Sequence, residues 1–324
     1  MMPPMFTDLP DLAAERLGAT VLAANDEFFA AKENLIKATK PEWREGVYTD
    51  RGKWMDGWET RRRRSPGHDW AIIRLGLPGM VRGVVIDTSF FTGNYPEQAS
   101  LDGCALEGDV PDDSLWFPLL PPVALEGNQA NPFPVAATHR VTHVRLNIFP
   151  DGGVARLRVH GEVVPGEQTF RIGQAIDLAS LVNGAVVVDC SDRHYGNPQH
   201  LLLPGPSTHM GDGWETRRRR GPGHDWAVVR LGHRGTIEHI EVETDHYKGN
   251  APGSCMLEGC DFPNPDAFAA GTARWETLVP QSPLEPDSRH RWESALKQPL
   301  THVRLNIHPD GGIARLRLIG RATG

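Results

Sequence analysis

The same text is written twice in this chain, and that duplication constrains its fold more than any other feature. Residues 56–76 read DGWETRRRRSPGHDWAIIRLG and residues 212–232 read DGWETRRRRGPGHDWAVVRLG, differing only at Ser65/Gly221, Ile72/Val228 and Ile73/Val229. THVRLNIFPDGGVARLR (142–158) returns as THVRLNIHPDGGIARLR (301–317). Weaker echoes link DLAAERLGATVLAANDEFFA (11–30) with DLASLVNGAVVVDCSDRHYG (177–196), and VVIDTSFFTGN (84–94) with IEVETDHYKGN (240–250). The offset is 166 in the first block, 156 in the middle and 159 at the end. Copy two therefore lacks ten residues between about Leu35 and Met55 and gains three before Thr301, changes that surface loops tolerate. Two long copies mean a duplicated domain, since a solenoid would need more and shorter units. The boundary is expected near Pro165, giving repeats at 1–164 and 165–324, each able to bury its own core.

Within each copy the patterning is that of strands. Val144, Leu146 and Ile148 alternate with Arg145 and Asn147, the period of a half-buried strand. Pro150-Asp151-Gly152-Gly153 supplies turn residues, after which Ala155, Leu157 and Val159 alternate with Arg156 and Arg158. This predicts a hairpin with one core face and one arginine-rich face, repeated over Val303–Leu318. WAIIRL (70–75) and VRGVVIDT (81–88) predict a second pair of strands around Gly76–Gly79. Helix is expected near Asp8–Leu17 and over Phe28–Lys37. The 34 glycines and 27 prolines fit a chain rich in turns. Many short strands between such turns indicate an all-β sandwich, and a jelly roll is preferred to an immunoglobulin-like arrangement.

Composition removes several classes of function. A net charge of -7 argues against nucleic acid and anionic membrane as partners, despite the two RRRR runs. Cys104, Cys190, Cys255 and Cys260 form neither a disulfide framework nor the paired spacing of a zinc site. The N-terminus shows no basic stretch followed by an apolar core, and no apolar run approaches the ~20 residues of a membrane span. A reducing cytoplasm is the expected compartment. No GxSxG, HExxH or phosphate-binding glycine loop is present.

The densest polar constellation is Trp58–Arg64 with Gly67–Trp70, and its twin Trp214–Arg220 with Gly223–Trp226. Arginine grips carboxylates bidentately, so Arg61 and Arg63, or Arg217 and Arg219, are candidates for anion binding. The competing reading is a network of structural ion pairs. His68 and His224, with Asp69 and Asp225 as orienting partners, are candidate acids and bases, since imidazole titrates near neutrality. A loop histidine satisfied by a neighbouring strand is the plainer alternative. The copies also differ in a pattern: Phe28, Phe90 and Phe149 become His194, His246 and His308, and Ser89 becomes Asp245. His194, His246 and Asp245 (with Asp192 nearby) are weak candidates for a divalent metal, scattered surface histidines being the commoner explanation.

DGWETRRRR…GHDW in both copies, the twin RLNI-PDGG-ARLR segments, NDEFFAAKENLI (25–36) and SDRHYGNP (191–198) together resemble the allantoicase (allantoate amidinohydrolase) family. The resemblance spans nearly the whole chain. It implies two galactose-binding-like jelly rolls in a homo-oligomer, and hydrolysis of allantoate to ureidoglycolate and urea in purine breakdown. That reaction breaks a bond between carbon and ureido nitrogen, so it needs an anion clamp, an acid and a base. On this footing Glu59 and Glu215 join the histidines as candidates for proton transfer. Asn94 and Asn250, which can donate to and accept from ureido groups, join the arginines as candidates for substrate binding. The reading leaves open which copy is catalytic, and whether the reaction needs no cofactor or a divalent metal such as manganese. The alternative is a non-catalytic carbohydrate- or small-ligand-binding pair of jelly rolls.

Overall fold

Alternating apolar residues generate strands throughout, and the longest of them organises each repeat. The computed structural model describes residues 5–106, 108, 112, 115–166, 173–264, 268 and 271–323. They form two compact units, Met5–Val164 and Pro165–Gly324. The first contains β1 (Thr20–Ala24), β2 (Tyr48–Thr49), β3 (Gly52–Lys53), β4 (Trp58–Glu59), β5 (Asp69–Asp87), β6 (Gln98–Cys104), β7 (Phe117–Ala124), β8 (Ala130–Pro134), β9 (Val141–Phe149), β10 (Gly153–Val154) and β11 (Arg156–Val163). The second contains β12 (Ala175–Asp177), β13 (Val186–Cys190), β14 (Trp214–Glu215), β15 (Asp225–Glu243), β16 (Ser254–Cys260), β17 (Glu276–Pro283), β18 (Arg289–Glu293), β19 (Leu300–His308), β20 (Gly312–Ile313) and β21 (Arg315–Ala322).

β5 runs for 19 residues without a break. Its first part lies between β1 and β9, its second between β11 and β8, and β9 continues through β6 to β7. A single strand thus serves both layers of a jelly-roll sandwich, and β15 does the same in the second unit, between β13 and β19 and then between β21 and β18. The two strand segments expected around Gly76–Gly79 are therefore one strand. The reason is local: the inward-outward alternation passes straight through Leu75 and Leu77, both buried, and changes phase only further on, at Gly83–Val84. At Gly79 a Cβ would stand 2.3 Å from the Glu162 carbonyl oxygen, so glycine admits the crossing β11.

The expected hairpin is also corrected. β9 and β11 do not pair with each other; both pair with β5, on its two different parts. Alternation reveals a strand and its inner face, but not its neighbour. The expected helices are short 3-10 turns at Phe6–Asp8, Glu15–Leu17 and Lys32–Ile36, because Pro10 and the left-handed Gly18 interrupt the first stretch. Among the described residues no helix is long and apolar enough to cross a membrane.

The inner faces close over Trp58, Ile73, Ile86, Leu101, Leu146 and Leu157 in the first unit, and over Trp214, Val229, Leu257, Leu305 and Leu316 in the second. The arginine-rich face expected on 154–159 is only half real: Arg158 is half-buried, whereas Arg156 is buried, as is Arg315.

Candidate active site

The repeated DGWET segment is held by pins that are the same in both units. The buried Arg156 guanidinium donates to Asp56, Nη2 to Oδ2 at 2.6 Å and Nη1 to the carbonyl at 3.0 Å. Burial pushes the Asp56 carboxyl up, but Arg156, the Glu42 N–H and Lys37 outweigh it and hold the group below the usual carboxylate range. Arg315 Nη2 meets Asp212 Oδ2 at 2.9 Å in the second unit. The Trp58 and Trp214 indoles fill the cores and donate to the carbonyls of Asp26 (2.8 Å) and Asp192 (3.0 Å). The Thr60 hydroxyl accepts from the Gly152 N–H at 3.1 Å, and Thr216 from Gly311 at 3.1 Å. Gly152 has φ 140°, and a Cβ there would lie 2.7 Å from Pro96 N, so the PDGG turn requires glycine. With Trp58 and Thr60 pointed inward, strand alternation turns Glu59 outward.

Outward, Glu59 meets Asn94, whose Nδ2 donates to Glu59 Oε1 at 2.7 Å. The two share a cavity of about 210 Å³ with Phe29, Trp43, Lys53, Met55, Phe90 and Thr92. Loss of solvent raises the Glu59 carboxyl above its ordinary value, against the opposing hydrogen bond from Asn94. Glu215 and Asn250 repeat the bond at 2.7 Å. Their surroundings differ: Met210 Sδ lies 3.3 Å from Asn250 Nδ2, and Tyr195, the counterpart of Phe29, is 61% exposed. A larger hollow in the second unit, about 480 Å³, is lined by His239, Glu241, Arg291, Trp292, Glu293 and Arg317 among others. It contains none of the candidate site residues, and its arginines are engaged by Glu241, Glu243 and Asp177.

The four arginines proposed as anion clamps are each bonded within their own unit. Arg61 pairs with Asp26 (Nη2–Oδ1, 2.9 Å), while Arg63 Nη1 reaches the buried Asp69 Oδ1 at 2.5 Å. Arg219 makes the same pair with Asp225, and Arg217 Nη2 lies 3.0 Å from His194 Nδ1. Asp69 also accepts from Asn25 at 2.8 Å, and no hydrogen bond joins it to His68, whose ring lies against Phe149 with centroids 4.8 Å apart. His224 Nε2 is 3.1 Å from Asn306 Oδ1 and its ring faces His308 at 4.5 Å. Burial first, and His224 second, push the His308 imidazole down.

The allantoicase repeat family matches residues 10–164 and again 176–323. The chain belongs to the allantoicase family. A Pseudomonas aeruginosa (strain UCBPP-PA14) protein named "Probable allantoicase" is 51% identical over 320 residues, covering 97% of this chain and 96% of its own. The "Probable allantoicase" of Nocardia farcinica is 49% identical, over 98% and 96% of the two chains. The crystal structure of allantoicase from Saccharomyces cerevisiae matches with a TM-score of 0.79 at 39% identity, over 96% of this chain and 92% of that one.

In this allantoicase-family chain the weak metal candidates do not converge. His194 faces the Arg217 guanidinium, His246 Nε2 lies 3.0 Å from the Ser207 carbonyl, and Asp245 pairs with Arg289 at 2.8 Å. Among the described residues no three His, Cys, Asp or Glu side chains gather in a metal-binding group. Sequence reasoning named Glu59 and Asn94, and the fold brings them together. It missed Trp43 and Lys53, although one signal pointed to them: both fall in the stretch where copy one is ten residues longer.

Proposed function

We propose that this chain hydrolyses allantoate to ureidoglycolate and urea, and that the reaction takes place in the Glu59–Asn94 cavity of the first repeat. The observation that carries the site assignment is a desolvated carboxyl, oriented by one amide, inside an aromatic-walled cavity of about 210 Å³. Full-length relatives at about half identity support the reaction and disfavour a purely carbohydrate-binding pair of jelly rolls.

Allantoate carries a carboxylate and two ureido groups on one carbon. Glu59, made more basic by desolvation, takes a proton from the attacking water. The water oxygen bonds to the carbon as the carbon–nitrogen bond breaks. Glu59 then passes that proton to the departing ureido nitrogen, so urea leaves neutral and the carboxylate is restored. Asn94 Nδ2 orients Glu59, and its Oδ1 accepts from a substrate ureido N–H. In this scheme Arg63–Asp69 and Arg219–Asp225 brace their loops.

Urea release from allantoate by chelator-treated protein, with and without added manganese, tests the reaction and its metal requirement together. Glu59→Gln tests the site: turnover is expected to fall by roughly 10²- to 10⁴-fold in a protein that still melts cooperatively. Because the ionised carboxylate is the base, kcat/KM falls as pH drops through the Glu59 value, which lies above that of a free glutamate. Full turnover by Glu59→Gln would move the chemistry out of this cavity.

A further inference from the structure

The ten extra residues of repeat one fall between Leu35 and Met55, the stretch that carries Trp43, β2, β3 and Lys53. This stretch is fastened at several points. Tyr48 pairs with Lys53 and Thr49 with Gly52 across β2 and β3, and Trp54 N–H donates to the Val47 carbonyl at 3.0 Å. Arg51 Nη1 donates to the Phe28 carbonyl at 3.0 Å while its guanidinium lies 5.3 Å from the Phe28 ring. Lys53 Nζ is thereby held 4.1 Å from the centre of the Trp43 ring, and Trp43 leans on Phe90 at 5.9 Å. All three of these side chains line the cavity that contains Glu59 and Asn94.

Lys53 makes no ion pair with any described carboxylate, whereas Arg61 and Arg63 are both paired. A cation kept over an aromatic face at the edge of a cavity, and ion-paired with none of the described carboxylates, is suited to receive an anion. We propose that Lys53 clamps the carboxylate of the substrate, with Trp43 and Phe90 packing on its planar ureido groups. The extra stretch is then a substrate-recognising cap for small ureido carboxylates, and it makes repeat one the catalytic copy. This rests on the Glu59–Asn94 cavity being the reaction site.

The test compares Lys53→Met, Lys53→Arg and Glu59→Gln by steady-state urea release. N-Carbamoylglycine and its neutral amide serve as inhibitor probes. Lys53→Met is expected to raise KM for allantoate roughly 10- to 100-fold, with kcat changed only a few-fold. It should also lose the native preference for N-carbamoylglycine over the amide, while Lys53→Arg keeps most of that preference. If Glu59→Gln is inactive but Lys53→Met binds substrate and both probes as the native protein does, the clamp is overturned and the cavity stands. If Glu59→Gln turns over normally, the cavity reading fails and the clamp with it.

Discussion

Glu59–Asn94 and Glu215–Asn250 are the same two side chains joined at the same 2.7 Å, standing on the same frame of Asp–Arg, Trp and Thr–Gly pins. Around the first pair stand Trp43, Lys53 and Phe90; around the second, a methionine sulfur touches the asparagine and His246 bonds to a carbonyl. The difference teaches where a duplicated domain is free to change. Buried polar pins tolerate no substitution without leaving an unpaired partner, so both copies keep them. The rim bears no such constraint, and there the copies differ by the ten residues between Leu35 and Met55.

The comparison can be broken most directly at the two glutamates. Glu59→Gln is expected to lower urea release roughly 10²- to 10⁴-fold, the usual worth of a general base, whereas Glu215→Gln stays within about two-fold because its pair lies outside the proposed catalytic copy. Equal losses would abolish the asymmetry. The shared frame makes the opposite forecast: Asp56→Ala and Asp212→Ala should each cost about 3–5 kcal/mol in denaturant unfolding, since each leaves a buried arginine uncompensated. A penalty confined to one copy would mean the frames are not equivalent.

A third measurement sharpens the picture of the second repeat. Burial, and next the charge of Arg230, push the His302 imidazole down to about 4, and it stacks on Phe268 at 3.9 Å. The unfolded chain binds a proton on this histidine below about pH 6.5, and the folded chain does so only near 4. Stability therefore falls as pH drops from about 6.5 to about 4, by as much as roughly 3 kcal/mol, and His302→Gln should flatten that slope in thermal melts. The smallest effect concerns Glu59. Its raised carboxyl favours the protonated folded state, a contribution lost as pH rises through the raised value. Glu59→Gln should thus melt slightly above the native protein at pH 7 while being catalytically silent.

The duplication, the strand character of VRLNI and VARLR, and the inward set Val144, Leu146 and Ile148 were all legible from the residues alone. What failed were partnerships. Alternation puts Arg156 on an open face because its partner Asp56 lies 100 residues away, and no periodicity reports so distant a bond. β9 and β11 read as a hairpin because only a turn and the two-residue β10 part them in sequence, although each pairs with β5. At the site, Glu59 and Asn94 could be named but not paired, being 35 residues apart. The arginine run drew attention by its density, yet density did not disclose that Asp26 and Asp69 occupy two of those guanidinium groups.

β5 and β15 leave a further mark on each repeat. Because a single strand of 19 residues carries the hydrogen-bond ladders of both layers, neither layer can peel away while the other stays intact. Each repeat is thereby one cooperative unit. The amide hydrogens of Asp69–Asp87 and Asp225–Glu243 should exchange with solvent deuterium last, and only through opening of the whole repeat. Residues 41–54, tied down by side-chain contacts and the two-residue ladder of β2 and β3 and not by a long one, should exchange earlier, around a scaffold that opens all at once or not at all.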